Sequence, residues 1–180
     1  MEPVTAAALQ EFLRRLGERL HSQADLYLLG GSALCLLGNP RTTVDVDYTF
    51  ETGMETAARF EATVAELAAD MEIDAEAVPI AEFVPLPPQA YERRRLVGRY
   101  GPLTVYIFDV YTIALSKIAR GFEADLEDVT FMLDQGLIEF GQLESYFYAI
   151  LPDAPKADII PDEFRDYFEE VRRRLGESGL

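Results

Sequence analysis

Apolar positions recur along this chain with two periods, and the switching between them sketches an α/β order. Leu9, Phe12, Leu13, Leu16 and Leu20 keep the three-and-four spacing of one helix face, Arg14, Arg15 and Arg19 fall on the other side, and Thr5 stands where a cap belongs. Residues 26–29 form a short apolar and aromatic run that predicts a buried strand. A short helix over 33–37 follows, capped by Ser32 and stopped by Gly38, Asn39 and Pro40. Residues 44–48 (VDVDY) alternate as a strand does, 54–70 read as a second amphipathic helix, and 71–78 alternate again. Prolines make 79–90 a loop. Runs at 91–97 and 103–108 around Tyr100-Gly101-Pro102 predict a hairpin. The remainder has helical spacing. Asp109 caps a helix that Gly121 ends, another begins near Glu123 and stops at Gly136, a third covers 142–151, and 152–161 is a linker. Pro161 opens the last helix, whose Phe164, Tyr167, Phe168 and Val171 form an aromatic face for the domain or for a partner.

Composition narrows the class of protein. The 180 residues are 49% hydrophobic, enough for one domain with a core and a helical appendage. Formal net charge is −16 and the sequence pI is about 4.4. That is the wrong sign for extended DNA binding by phosphate neutralisation, though an RNA end held at a local basic patch stays compatible. Much of the acid lies within 55–70 and 162–170, as solvated helix faces. With one cysteine and one histidine, an internal disulfide and a structural zinc site are excluded. Cys35, inside an apolar helix, reads as a small buried residue rather than a nucleophile, and His21 as a surface residue. No apolar run is long enough to span a bilayer, and MEPVTAAALQ lacks the basic start and apolar core of a secretory leader. The cytoplasm is the expected location.

Residues 26–50 concentrate the chemistry. Gly30 and Gly31 permit backbone geometry closed to other residues and let a phosphate approach the main chain. A helix start at Ser32 would add free N–H groups for an anion. Asp45 and Asp47 alternate onto one strand face, where their carboxylates repel and a Mg²⁺ ion would remove that cost. The stretch thus offers a phosphate cradle followed by a divalent-metal site. The plainer alternative is a tight strand–helix turn with two exposed strand aspartates.

Gly31-Ser32, twelve further residues, then Asp45-x-Asp47 resembles the signature of the nucleotidyltransferase superfamily (DNA polymerase β-like). The fuller GGSA…RTTVDVD is similar to the bacterial abortive-infection and toxin–antitoxin nucleotidyltransferase toxins. Lys117-x-x-Arg120-x-x-x-x-Asp125-x-x-Asp128 resembles a second segment of the same toxins, and the likeness covers roughly residues 25–134. It implies an α+β fold: a nucleotidyltransferase-like core with a small mixed sheet over 1–135, and a helical extension over 136–180 packed on it. It also implies transfer of a nucleoside monophosphate from an NTP to an acceptor hydroxyl on tRNA or protein, with Mg²⁺ (or Mn²⁺) as cofactor and an antitoxin as partner. Asp45 and Asp47 would hold metal, with Asp74 as third carboxylate, while Gly30, Gly31 and Ser32 would hold the triphosphate. Lys117, with Arg41, Arg120 or an arginine from Arg93 and Arg94, would offset phosphate charge. Asp125 or Asp74 would assist the acceptor or complete the metal site. The same spacing of Lys117, Arg120, Asp125 and Asp128 also allows inter-helix salt bridges, and Arg93–Arg95 also suit a solubilising edge. Two other classes fit the chain: a catalytically degenerate nucleotide-binding or regulatory module, and an interaction protein using its acidic surface and the aromatic face.

Overall fold

Strand pairing joins segments far apart in the chain. The computed structural model of the protein describes residues 3–178. It divides into two compact units: Met1–Val78 with Arg94–Phe108, and Pro79–Arg93 with Asp109–Leu180. The expected boundary at 135/136 falls inside the second.

The first unit is built on β1 (Ala24–Leu28), β2 (Asp45–Thr52), β3 (Asp74–Ala77), β4 (Arg95–Tyr100) and β5 (Leu103–Ile107), in the order β3-β2-β1-β5-β4. β1 runs antiparallel to β2 and parallel to β5, β2 is parallel to β3, and β4 and β5 form the expected antiparallel hairpin, so the sheet is mixed. Register sorts its two faces. Leu26 and Leu28 lie beside Phe50 and Tyr48 on one side and Val105 and Ile107 on the other. Two helices cover this apolar face. α1 (Ala6–Arg19) buries Leu9, Phe12, Leu13 and Leu16 and brings Gly17 against Tyr100 of β4. Its Thr5 cap is as expected, accepting a hydrogen bond from the Ala8 amide at 3.2 Å. α3 (Ala57–Met71) lays Phe60 on Phe50 with ring centroids 4.5 Å apart. The opposite face carries Asp25, Tyr27, Asp45, Asp47, Thr49, Glu51 and Tyr106.

The second unit is helical: α4 (Ile80–Phe83), α5 (Val110–Arg120), α6 (Glu123–Asp134), α7 (Phe140–Ile150) and α8 (Pro161–Ser178), with 3₁₀ turns at Ala90–Arg93 and Leu151–Ala157. Asp109 caps α5 by accepting hydrogen bonds from the Tyr111 and Thr112 amides, and Gly121 ends it at φ +68°. The aromatic face of α8 is an internal surface. Phe147 stacks on Phe168 at 4.1 Å and meets Phe164 edge-on at 4.7 Å, each such pair contributing about 0.5–1.5 kcal/mol beyond its buried area. Burial of Phe164, Phe168 and Val171 therefore withdraws this face as a docking surface.

Several boundaries differ from the sequence reading. The helix expected over 33–37 is α2 (Gly30–Leu36), so Ser32 lies in its first turn and Leu29 occupies the cap position. The strand at 44–48 continues to Thr52, because Phe50 and Tyr48 find partners on β1. The strand at 71–78 shrinks to β3, since Glu72 takes a left-handed φ of +55° to close α3. The 79–90 loop contains α4, the 152–161 linker is largely 3₁₀, and the first hairpin run starts only at Arg95. Among the described residues, no helix is long and apolar enough to cross a membrane.

Candidate functional site

The glycine turn and the Asp-x-Asp strand meet side chain to backbone. The amide of Leu29 donates to the Asp47 carbonyl at 3.0 Å, extending the β1–β2 ladder into the turn. Gly30 follows at φ +49°, and a Cβ there would lie inside contact distance of Asp47 Oδ2. A Cβ on Gly31 would come within 2.5 Å of Thr43 Oγ1. Gly30 is thus favoured by its positive φ and Gly31 by the close approach of the Thr43 side chain, whose own Cβ would lie 2.9 Å from the added one. Ser32 is fully buried, and its Oγ lies 2.8 Å from the Leu29 carbonyl and 3.0 Å from that of Asp47. Its hydroxyl stitches α2 to both strands.

On β2 the alternation is as expected. Val46 and Tyr48 are buried in the apolar face, while Asp45 and Asp47 share the other face and are half-buried. Thr43 Oγ1 donates to Asp45 Oδ1 at 3.1 Å. Thr43 went unnoticed in the sequence, although it lies two residues before Asp45 and so on the same alternating side. Asp74 pairs with Asp45 in parallel register and Glu76 with Asp47, which puts all four carboxylates on one face, with Asp74 and Glu76 exposed. Among the described residues, no three His, Cys, Asp or Glu side chains are close enough together to hold a metal ion. Asp45 and Asp47 are then the pair that could hold one. Two carboxylate groups suit Mg²⁺, which commonly takes one or two carboxylates and completes its shell with substrate phosphate and water.

The basic residues separate into different environments. Arg41 is exposed, and its amide donates to Asn39 Oδ1 at 3.1 Å. Arg94 stands 5.1 Å over the ring of Tyr106, which belongs to the sheet face bearing Asp45 and Asp47. Arg93 forms a fork on fully buried Asp109, with two bonds of 2.8 Å, a third of 2.6 Å to the Pro88 carbonyl, and its guanidinium 4.4 Å over Tyr146. The Asp109 carboxylate raises the Arg93 pKa further above its ordinary value. Arg93 is therefore a clamp on the start of α5, a role that the sequence did not signal.

Lys117, Arg120, Asp125 and Asp128 do come together, through the packing of α5 on α6. Lys117 is 5% exposed, with Nζ 3.2 Å from Asp125 and 2.7 Å from Asp128. Arg120 adds bonds of 2.9 and 3.0 Å to the same Asp125. This is the inter-helix salt-bridge arrangement that their spacing allows. Cys35 is buried, and that burial pushes its thiol pKa up, away from nucleophilic use.

The crystal structure of an antigenic nucleotidyltransferase-like protein from Paracoccidioides brasiliensis resembles this fold with a TM-score of 0.53. The alignment spans 87% of this chain and 94% of that one at 18% identity, a likeness of fold. No functionally curated protein matches the chain. A family model described as a nucleotidyltransferase of unknown function (DUF6036) matches residues 7–172. With that model spanning most of its length, the chain belongs to this nucleotidyltransferase family.

Proposed function

We propose that the protein transfers a nucleoside monophosphate from an NTP to an acceptor hydroxyl on tRNA or on a protein side chain. The observation that carries this reading is the contact between the glycine turn and the aspartate strand, with Asp47 Oδ2 against Gly30. A glycine turn lies directly beside two carboxylates on one strand face. That is the juxtaposition needed to bring a triphosphate and its cation together.

Asp45 and Asp47 would hold Mg²⁺, or Mn²⁺ in its place; the ion would neutralise phosphate charge as the phosphorus–oxygen bond is exchanged. Thr43 orients Asp45 through the bond to Oδ1. The Gly30–Gly31 backbone binds and positions the phosphates, Ser32 holds that backbone against β2 from behind, and Arg94 or Arg41 supplies further positive charge in the same unit. Lys117 and Asp125, expected as phosphate contact and acceptor base, are engaged in the buried α5–α6 salt bridge and are left out of this reading. A growth-inhibiting role with an antitoxin partner belongs to the same proposal and rests on the toxin-like strings GGSA and RTTVDVD.

A second reading, a degenerate nucleotide-binding module, is favoured by one observation: Asp74 does not join Asp45 and Asp47 in a metal-holding trio. One experiment separates the two. The purified chain is incubated with each labelled NTP, Mg²⁺ and total RNA or protein. Label transfer that Asp45→Asn and Asp47→Asn each reduce by about a thousandfold or more supports the transferase. NTP binding without transfer selects the degenerate module. Neither binding nor transfer overturns both.

A further inference from the structure

A cavity of about 530 Å³ opens in the first unit at the far end of β1 and β2 from the glycine turn. It borders Ala24, where β1 begins, and Thr52, where β2 ends, and α3 lines one wall. Thr52 is five residues from Asp47, roughly 17 Å along the strand, so this cavity is separate from the carboxylate site. Its volume falls within the range of small-molecule sites.

The lining chemistry is unusual for this chain. Acidic residues outnumber Lys and Arg by 32 to 16, yet Arg19, Arg59 and His21 converge here. Arg19 is held by Asp70 at 2.7 Å. Among the described residues, the side chains of Arg59 and His21 have no hydrogen-bond or ion-pair partner. Elsewhere arginines such as Arg14, Arg93, Arg120 and Arg174 are spent on carboxylates. Ser22, Thr52, Thr56 and Thr63 also line the cavity, with Leu20 as apolar wall; the hydroxyls of Thr52, Thr56 and Thr63 donate to the Gln23, Gly53 and Arg59 carbonyls and keep acceptor capacity for a ligand.

We propose that this cavity binds a small phosphomonoester with a hydroxylated body. Arg59 presents the planar fork that matches phosphate oxygens, and His21 adds a ring N–H donor in either protonation state. The body lies on the threonine hydroxyls and Leu20. Glu66 stands on the same wall and accepts hydrogen bonds from the ligand's hydroxyls, while Glu18 is engaged by Arg14. The Glu66 carboxylate opposes the larger negative charge of a triphosphate more than that of a monoester and so disfavours NTP. The proposal does not depend on the transferase reading.

The test is calorimetric titration of the full chain with AMP, ribose 5-phosphate and inorganic phosphate. Saturable binding of AMP or ribose 5-phosphate, tighter than inorganic phosphate, is expected. Preference for AMP identifies a mononucleotide, and equal affinity a sugar phosphate. Arg59→Ala should weaken binding roughly ten- to a hundredfold, and addition of His21→Ala should abolish it. Both side chains are exposed, so neither change threatens the fold. Asp45→Asn should leave this binding unchanged. Absence of binding by all three probes overturns the proposal. So does binding that Arg59→Ala leaves intact, or binding that Asp45→Asn removes.

Discussion

Two pairs of aspartates meet opposite fates in the two units. Asp45 and Asp47 are two apart on a strand, Asp125 and Asp128 three apart on a helix, and each spacing brings both carboxylates to one side of its element. The helical pair is closed. Asp125 and Asp128 are 1% and 3% exposed, and Lys117 bridges them with Arg120 on the outside. The strand pair is half-buried beside a turn stripped of side chains. Buried carboxylates need a resident cation, because an uncompensated buried charge costs several kcal/mol. Carboxylates that keep contact with solvent at a glycine-lined surface can take a diffusible one. The same residue type therefore serves packing in one unit and suits ligand chemistry in the other.

Removing the resident cation should break the closed pair most severely. Lys117→Ala removes the cation that bridges buried Asp125 and Asp128 and should cost about 3 kcal/mol of stability. Urea unfolding measures it, and label transfer per folded molecule on the same preparation tests Lys117 as a phosphate contact. Unchanged stability with strongly reduced NTP affinity would reverse the contrast between the two pairs.

A smaller loss is expected where the turn meets the strand. Gly30→Ala forces a side chain into φ +49° and against Asp47 Oδ2, for about 2 kcal/mol. Thermal unfolding should show that loss together with weaker stabilisation by Mg²⁺. Equal stability would mean that the approach of β2 to the turn is not tight.

The smallest effect should come from the open pair itself. Asp45→Asn removes repulsion with Asp47 while keeping an acceptor for Thr43, so apo stability should change by less than about 1 kcal/mol. Melting curves with and without Mg²⁺ sharpen the point: the ion should raise the wild-type midpoint and leave the variant's unmoved.

Local chemistry made part of this legible. Asp109 as cap, Gly121 as stop, the hairpin around Gly101 and the shared face of Asp45 and Asp47 all follow from neighbours within a few residues. The start of α2 was misread because a serine is a better cap and glycine a poor helix former, preferences that the packing of Thr43 and Asp47 on Gly30 and Gly31 overrides. The Arg93–Asp109 clamp spans sixteen residues and looked like one member of a surface arginine cluster.

By itself, then, the sequence determined the order of the strands and of the helices other than α4, the presence of an apolar sheet face, and the candidate chemistry of the Gly30–Asp47 stretch. Periodicity, caps and turn residues act over one or two turns of chain, and a single sequence displays them directly. Only the tertiary structure decided the strand order β3-β2-β1-β5-β4, the burial of the α8 aromatic face, the engagement of Lys117 by Asp125 and Asp128, and the gathering of Arg59 and His21 at one cavity. Those outcomes depend on which surfaces meet across long stretches of chain. Burial then fixes whether a charge must be neutralised from within or can remain available to a ligand.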